Sequence, residues 1–116
     1  MAKIEKFEDI IVWQKSRVLI GEIYKEFKLC KDYAFRDQIQ RAAVSIMNNI
    51  AEGYERKGNK EFAKFLYIAK GSCGEVRSML HLSLDLGYID RAGFDKFQDS
   101  SLHISSMISN LIKKLN

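Results

Sequence analysis

The stretch FRDQIQRAAVSIMNNIAEGYERK, residues 35–57, carries two stripes of different chemistry at one helical period. Phe35, Ile39, Ala42, Ala43, Ile46, Ile50 and Tyr54 recur at helical spacing and form an apolar side. Gln38, Arg41, Ser45, Asn49, Glu52 and Arg56 repeat with the same period and form a polar side. An apolar side alone is enough to fold a helix onto a core. The polar stripe exceeds that need and is the functional lead, because it gathers two arginines, a carboxylate and amides within reach of phosphate, a neighbouring subunit or one another.

Outward from this stretch, nothing interrupts long helices, since the chain has no proline where an average sequence carries about 5%. The spacing predicts a first helix from Ile10 to Lys28, with Ile10, Trp13, Ser16 or Arg17, Ile20, Tyr24 and Phe27 inward and Glu8 or Asp9 near its positive end. Residues 29–34 read as a short connection. The periodicity of the second helix fails at Lys57, Gly58 and Asn59, where glycine and asparagine are natural terminators, and Asn59 is also a candidate cap for a third helix. Phe62, Phe65, Leu66, Ala69, Cys73, Val76, Leu80 and Leu84 then keep a helical period. Gly71 and Gly74 within it each cost about 1 kcal/mol relative to alanine, and the small run AKGSCG suggests a close approach of another helix. The segment DLGYID reads as a glycine stop with Leu86, Tyr88 and Ile89 folding back. A fourth helix runs from about Asp90 or Ala92 to Lys114, with Phe94, Phe97, Leu102, Ile104 or Ser105, Ile108, Leu111 and Leu115 inward and a kink expected near Asp99 to Ser101.

Four helices with short connections and no strand candidate predict an all-α, antiparallel up-down four-helix bundle, residues 1–116 forming one domain. Aliphatic residues off the main stripes, Ile11, Val12, Val18, Leu19 and Ile23 in the first helix and Met107 and Ile112 in the fourth, hint at an oligomer face.

The net charge of +4 is even, with one excess positive charge in each of residues 1–33, 34–58, 59–89 and 90–116. Such a balance favours solubility and only weakly favours an acidic partner such as RNA or DNA. The start MAKIEKFEDIIVWQK has no signal-peptide pattern and no stretch approaches the apolar length of a membrane span, so a cytoplasmic protein without a membrane partner is expected.

No catalytic signature is present, and a non-enzyme without cofactor or metal is expected. Cys30 and Cys73 are too few and too far apart for a disulfide framework or a zinc site. Cys73 falls on an apolar face as a buried thiol. Neither His81 nor His103 has a glutamate three positions earlier, as a di-metal bundle requires. Trp13 and Tyr24 read as core or interface aromatics, and Tyr54 and Tyr67 sit near the basic positions where bases would stack.

The run QIQRAAVSIMNNIAEGYERKGNKEFAKFLYIAKGSCGEV, with the earlier VWQKSRVLIGEIY and the later LSLDLGYI, closely resembles the four-helix-bundle family associated with intervening sequences of bacterial large-subunit ribosomal RNA genes. The resemblance spans nearly the whole chain and implies a bundle that assembles as a ring-like homopentamer. Distantly related accessory proteins of diversity-generating retroelements use a basic pentameric barrel to engage nucleic acid and a reverse transcriptase. The family motif falls on Arg41, Ser45, Asn49, Glu52, Gly53 and Arg56, and on Gly71, Ser72 and Glu75. Gln40 departs from the two-arginine variant and removes one positive charge.

Two accounts of the motif compete. In the first, Arg41 or Arg56 pairs with Glu52 and Glu75 in a network inside the bundle or across a subunit boundary, with Ser45 and Asn49 in the same stripe. In the second, Arg41 and Arg56, helped by Lys57, Lys60 and Lys64, face solvent as contacts for nucleic-acid phosphate, with Asn49 or Gln38 adding neutral hydrogen bonds, although Glu52 and Glu55 put negative charge beside that track. The expected function is a non-catalytic, homo-oligomeric interaction scaffold with itself as first partner. RNA or DNA binding is the alternative, and a further protein partner is the third reading.

Overall fold

The computed structural model describes residues 4–116. After a 3-10 turn at Phe7–Asp9, four helices follow: α1 (Ile11–Glu26), α2 (Tyr33–Glu55), α3 (Asn59–Asp85) and α4 (Arg91–Leu115). Each packs on the next and α1 closes the ring against α4, which is the antiparallel up-down four-helix bundle expected from the apolar stripes.

The helix ends explain the alternation. Asp32 caps α2 by accepting the Phe35 amide at 3.2 Å, and Asp90 caps α4 by accepting the Gly93 amide at 2.8 Å. At the foot of α3 the chain turns through Gly87, at φ 74°, and the Tyr88 amide reaches back to the Ser83 carbonyl at 2.8 Å. Only a left-handed residue allows that geometry, so the glycine stop in DLGYID is real. Ile89 is buried behind it, whereas Leu86 stays exposed.

At the other end, the stop differs from the sequence reading. The left-handed residue is Lys57, at φ 58°, while Gly58 is extended at φ −155° and serves as the N-cap of α3, with Asn59 as its first residue. α1 is also shorter than expected, beginning at Ile11 and ending at Glu26, because Glu8 and Asp9 belong to the 3-10 turn and Phe27 leaves helical geometry. α4 runs as one helix through Asp99 to Ser101, where a kink was expected, so the three short polar residues do not break its hydrogen-bonded turns. Ser101 is wholly buried there, and its hydroxyl has no hydrogen-bond partner among the described residues.

The core takes more of α1 than a single stripe. Val12, Leu19 and Ile23, off the main stripe in sequence, are buried beside Trp13, Ser16, Ile20 and Phe27, and in α4 Ile112 is buried likewise. Neighbouring helices on both flanks widen the buried arc beyond one narrow seam. Tyr24, expected inside, is 44% exposed, and Ile11 and Val18 face outward as an oligomer face would require. In α4, Leu102 is exposed, whereas Leu111 and Leu115 are half-buried.

The close helix approach falls at an unexpected glycine. A Cβ at Gly53 would lie 2.6 Å from the Phe65 Cβ and 3.3 Å from the Phe62 carbonyl oxygen, so α2 and α3 meet there. Gly71 and Gly74, the glycines expected at the crossing, have open space around them.

Candidate interaction site at the α2–α3 seam

Because α2 and α3 pack antiparallel, the polar stripe of α2 comes to lie along the outer edge of their contact. It faces solvent and does not enter the bundle. A groove of about 580 Å³ runs along it, floored by Ala42, Ser45 and Asn49 and walled by Gln38, Arg41, Glu52, Ser72, Glu75 and Tyr24.

Its centre is a set of short polar side chains tied to one another. The Ser45 and Ser72 hydroxyls share a hydrogen bond at 2.8 Å across the seam. Asn49 Nδ2 donates to the Ser45 carbonyl at 2.8 Å and to Ser45 Oγ at 2.9 Å, one helical turn back. The Asn49 amide nitrogen is thereby turned toward Ser45, and the Asn49 side-chain carbonyl oxygen remains as an acceptor. Small side chains at Ala42, Ser45 and Ser72 let the helices approach, and hydroxyls rather than methyls keep that line polar.

The charges occupy the ends. Toward the α2–α3 turn, Arg56 Nη2 bonds Glu52 Oε2 at 2.9 Å, a partly solvated i,i+4 pair, and the guanidinium lies 5.0 Å from the centre of the Phe65 ring. Such a pair contributes roughly 0.3–0.5 kcal/mol. Toward the other end, Gln38 Nε2 donates to Glu75 Oε2 across the seam. Arg41 lies between these ends, exposed and without an ion-pair partner among the described residues. The structure therefore joins Glu52 to Arg56 and Ser45 to Asn49 and Ser72. It brings Glu75 to Gln38, and not to either arginine.

Lys57, Lys60 and Lys64 are exposed around the α2–α3 turn and along the start of α3, with Tyr67 59% exposed a turn further on. Tyr54 is half-buried, its hydroxyl donating to the Ile4 carbonyl at 2.9 Å and its ring edge-on to Phe62. That geometry holds the N-terminal segment and takes the Tyr54 ring out of the solvent-facing set. Cys73 is buried under the seam, and burial pushes its thiol up to about 12 despite the nearby Arg77. His81 is exposed, its ring edge-on to Phe94. Among the described residues, no group of three or more His, Cys, Asp or Glu side chains is arranged to hold a metal ion, and no helix is long and apolar enough to cross a membrane.

The motif positions lie on adjacent turns of two helices, and the sequence that carries them matches the 23S rRNA-intervening sequence protein family over residues 8–110. The chain belongs to that family. A crystal structure from Bacteroides thetaiotaomicron VPI-5482, described as a protein with unknown function from the S23 ribosomal protein family, is 27% identical and superposes with a TM-score of 0.83. The similarity covers 89% of this chain and 99% of that one. No curated protein matches the chain.

For this intervening-sequence family member, sequence reasoning missed one side of the groove. Tyr24 lies on another helix, and its spacing in α1 assigned it inward. Only the packing of α1 on α2 brings it to the rim.

Proposed function

We propose that the protein is a non-catalytic, homo-oligomeric interaction scaffold of the cytoplasm, one four-helix domain per subunit, assembled as the pentamer that its sequence resemblance implies. The observation that carries this reading is the set of large apolar side chains left outside a filled core. Ile11 and Val18 on α1 are 55% and 63% exposed, and Tyr67, Ile68 and Leu82 on α3 are also exposed. Outward apolar residues grouped on two helices are what a self-associating surface needs. In this reading Arg41, Ser45, Asn49, Glu52, Arg56 and Glu75 line a polar groove repeated once per subunit.

A second reading, RNA or DNA binding, is favoured by a separate observation. Arg56, Lys57, Lys60 and Lys64 cluster at one end of the seam, and the antiparallel course of α4 brings Lys113 and Lys114 to that same end. The family's description in terms of 23S rRNA intervening sequences makes structured RNA the first ligand to try.

Light scattering coupled to size exclusion, with and without structured RNA at about 0.1 M salt, tests both. An assembly that ignores RNA supports the scaffold. An assembly that carries RNA and releases it at higher salt supports phosphate contact by the lysines. A monomer under all conditions refutes the oligomeric scaffold.

A further inference from the structure

We infer that the seam between α3 and α4 binds the carboxylate group of a small molecule, in a slot formed by Gly74, Arg77 and Ser101. The slot lies on the opposite flank of α3 from the Ser72 and Glu75 groove, and it does not rest on the oligomeric reading.

Two contacts set the register of the seam. The His81 and Phe94 rings meet with centres 5.0 Å apart, and Gln98 Nε2 donates to the Arg77 carbonyl at 2.9 Å. In an antiparallel pair each step forward on α4 is a step back on α3. Ser101, one turn beyond Gln98, therefore stands opposite Gly74, one turn before Arg77.

Two polar groups on these turns are sealed in without partners. Ser101 is 0% exposed, and its hydroxyl has no hydrogen-bond partner among the described residues. The other buried serines, Ser16 and Ser83, behave differently, donating to the Val12 carbonyl at 2.7 Å and to the Leu80 carbonyl at 2.8 Å as helical hydroxyls commonly do. Arg77 Nε is likewise buried without a partner, and its guanidinium has no ion pair among the described residues.

The two groups converge on Gly74. Side chains on a helix lean toward its N-terminus, which carries the Arg77 guanidinium back along the seam. The buried Cys73 thiol feels that positive charge, as such a course requires. Gly74 itself costs about 1 kcal/mol of helix propensity relative to alanine. Within the subunit no neighbour comes close enough to require it, since a Cβ there would meet nothing within 4 Å.

The donors select the ligand. Arg77 Nε can only donate, and a Ser101 hydroxyl without an acceptor has its proton to give, so the occupant presents an acceptor. Lys70 and Arg77 bracket Gly74 at helical spacing, which favours an anion. Acids on the adjoining turns are engaged elsewhere or outward: Glu75 with Gln38, Asp95 with Arg91, and Asp99 exposed. The Nε and adjacent Nη of one guanidinium form a planar fork that matches the two oxygens of a carboxylate. One oxygen takes Arg77 Nε–H and the Ser101 hydroxyl, and the other takes Nη–H on the outer side of the half-buried Arg77. A phosphate brings further oxygens for which the seam holds no buried donor.

The test titrates the full chain with sodium acetate at constant ionic strength, read by the NMR signal of Arg77 Nε–H and by Tm. The expected result is a saturable shift of that signal and a rise in Tm, neither of which sodium chloride reproduces. Gly74→Ala fills the slot and leaves both donors in place, so it melts higher than wild type yet loses the acetate response. Ser101→Ala weakens acetate binding by roughly tenfold. Arg77→Lys, which keeps the charge and removes the fork, weakens it at least as much. A wild-type signal that does not saturate, or that responds equally to chloride, overturns the site, as does an acetate response unchanged in Gly74→Ala. A crystal structure grown in acetate that shows water alone between Arg77 and Ser101, or the Ser101 hydroxyl turned onto the Phe97 carbonyl, also overturns it. Tighter binding of inorganic phosphate than of acetate overturns the choice of a carboxylate.

Discussion

The Tyr88 hydroxyl donates to Asp32 Oδ2 at 2.7 Å, joining the turn after α3 to the residue that caps α2. The residues are 56 positions apart, and the Tyr88 ring also packs edge-on against Phe35, which in turn meets Phe27. One carboxylate thus caps a helix and ties two loops at one end of the bundle. The Tyr88 bond first, and the Phe35 amide second, hold the Asp32 carboxyl below its ordinary range. The same bond holds the Tyr88 hydroxyl above its own.

A pH dependence follows with opposite signs at the two extremes. The lowered Asp32 contributes stability that is present above about pH 4, the unfolded carboxyl value, and is lost as pH falls through the lowered folded value. The raised Tyr88 contributes stability present below about pH 10 and lost as pH rises through its raised value. Tyr88→Phe therefore lowers Tm at neutral pH, and its deficit shrinks toward both extremes. Thermal melts of the two proteins across acid and alkaline pH check this, and a deficit constant with pH refutes it.

Glycine-to-alanine changes should have opposite signs at two positions. Gly53→Ala puts a methyl 2.6 Å from the Phe65 Cβ and close to a backbone oxygen that cannot swing away, so it destabilises by about 1–3 kcal/mol despite better helix propensity. Gly71→Ala meets open space within the subunit and stabilises by up to about 1 kcal/mol. Urea unfolding of the pair measures both.

Lys57 holds a left-handed conformation in which a Cβ is costly. Lys57→Gly should raise stability by roughly 0.5–1 kcal/mol after the extra freedom of unfolded glycine is allowed for. Gly58→Ala should cost nothing in backbone strain, because the extended φ of Gly58 suits any residue, and should lose only the roughly 0.5–1 kcal/mol by which alanine is the poorer N-cap of α3. A loss well above about 1 kcal/mol from Gly58→Ala, as a left-handed glycine would show, would contradict this assignment of the turn.

Ile23 and Val18 separate core from surface on one helix. Ile23 is fully buried, and Ile23→Ala should cost about 2–5 kcal/mol. Val18→Ala should leave subunit stability within about 0.5 kcal/mol, as a surface change does. Denaturant midpoints at low protein concentration make the comparison.

The two cysteines should differ in reactivity. Cys30 is half-buried, whereas Cys73 is buried with its thiol pushed up to about 12. An aromatic disulfide reagent near pH 8 should modify Cys30 alone in the native protein and both in denaturant, since the thiolate is the reacting form. Rapid native modification of Cys73 would refute the burial.

The two periods in residues 35–57, the missing prolines and the glycine stop at Gly87 were sufficient to determine four antiparallel helices, because hydrophobic periodicity and backbone chirality are local properties written in neighbouring residues. The motif at Arg41, Ser45, Asn49, Glu52 and Arg56 was legible for the same reason. Only the tertiary structure decided that this stripe lies outward on the α2–α3 seam, that Gln38 takes Glu75, and that Tyr24 comes to the rim. It also decided that Gly53, and not Gly71, is the close crossing, and that Val12, Leu19 and Ile23 are core while Ile11 and Val18 are not. Spacing gives a side chain's angle around its own helix, but the width of the buried arc and the partners across it depend on where the neighbouring helices lie.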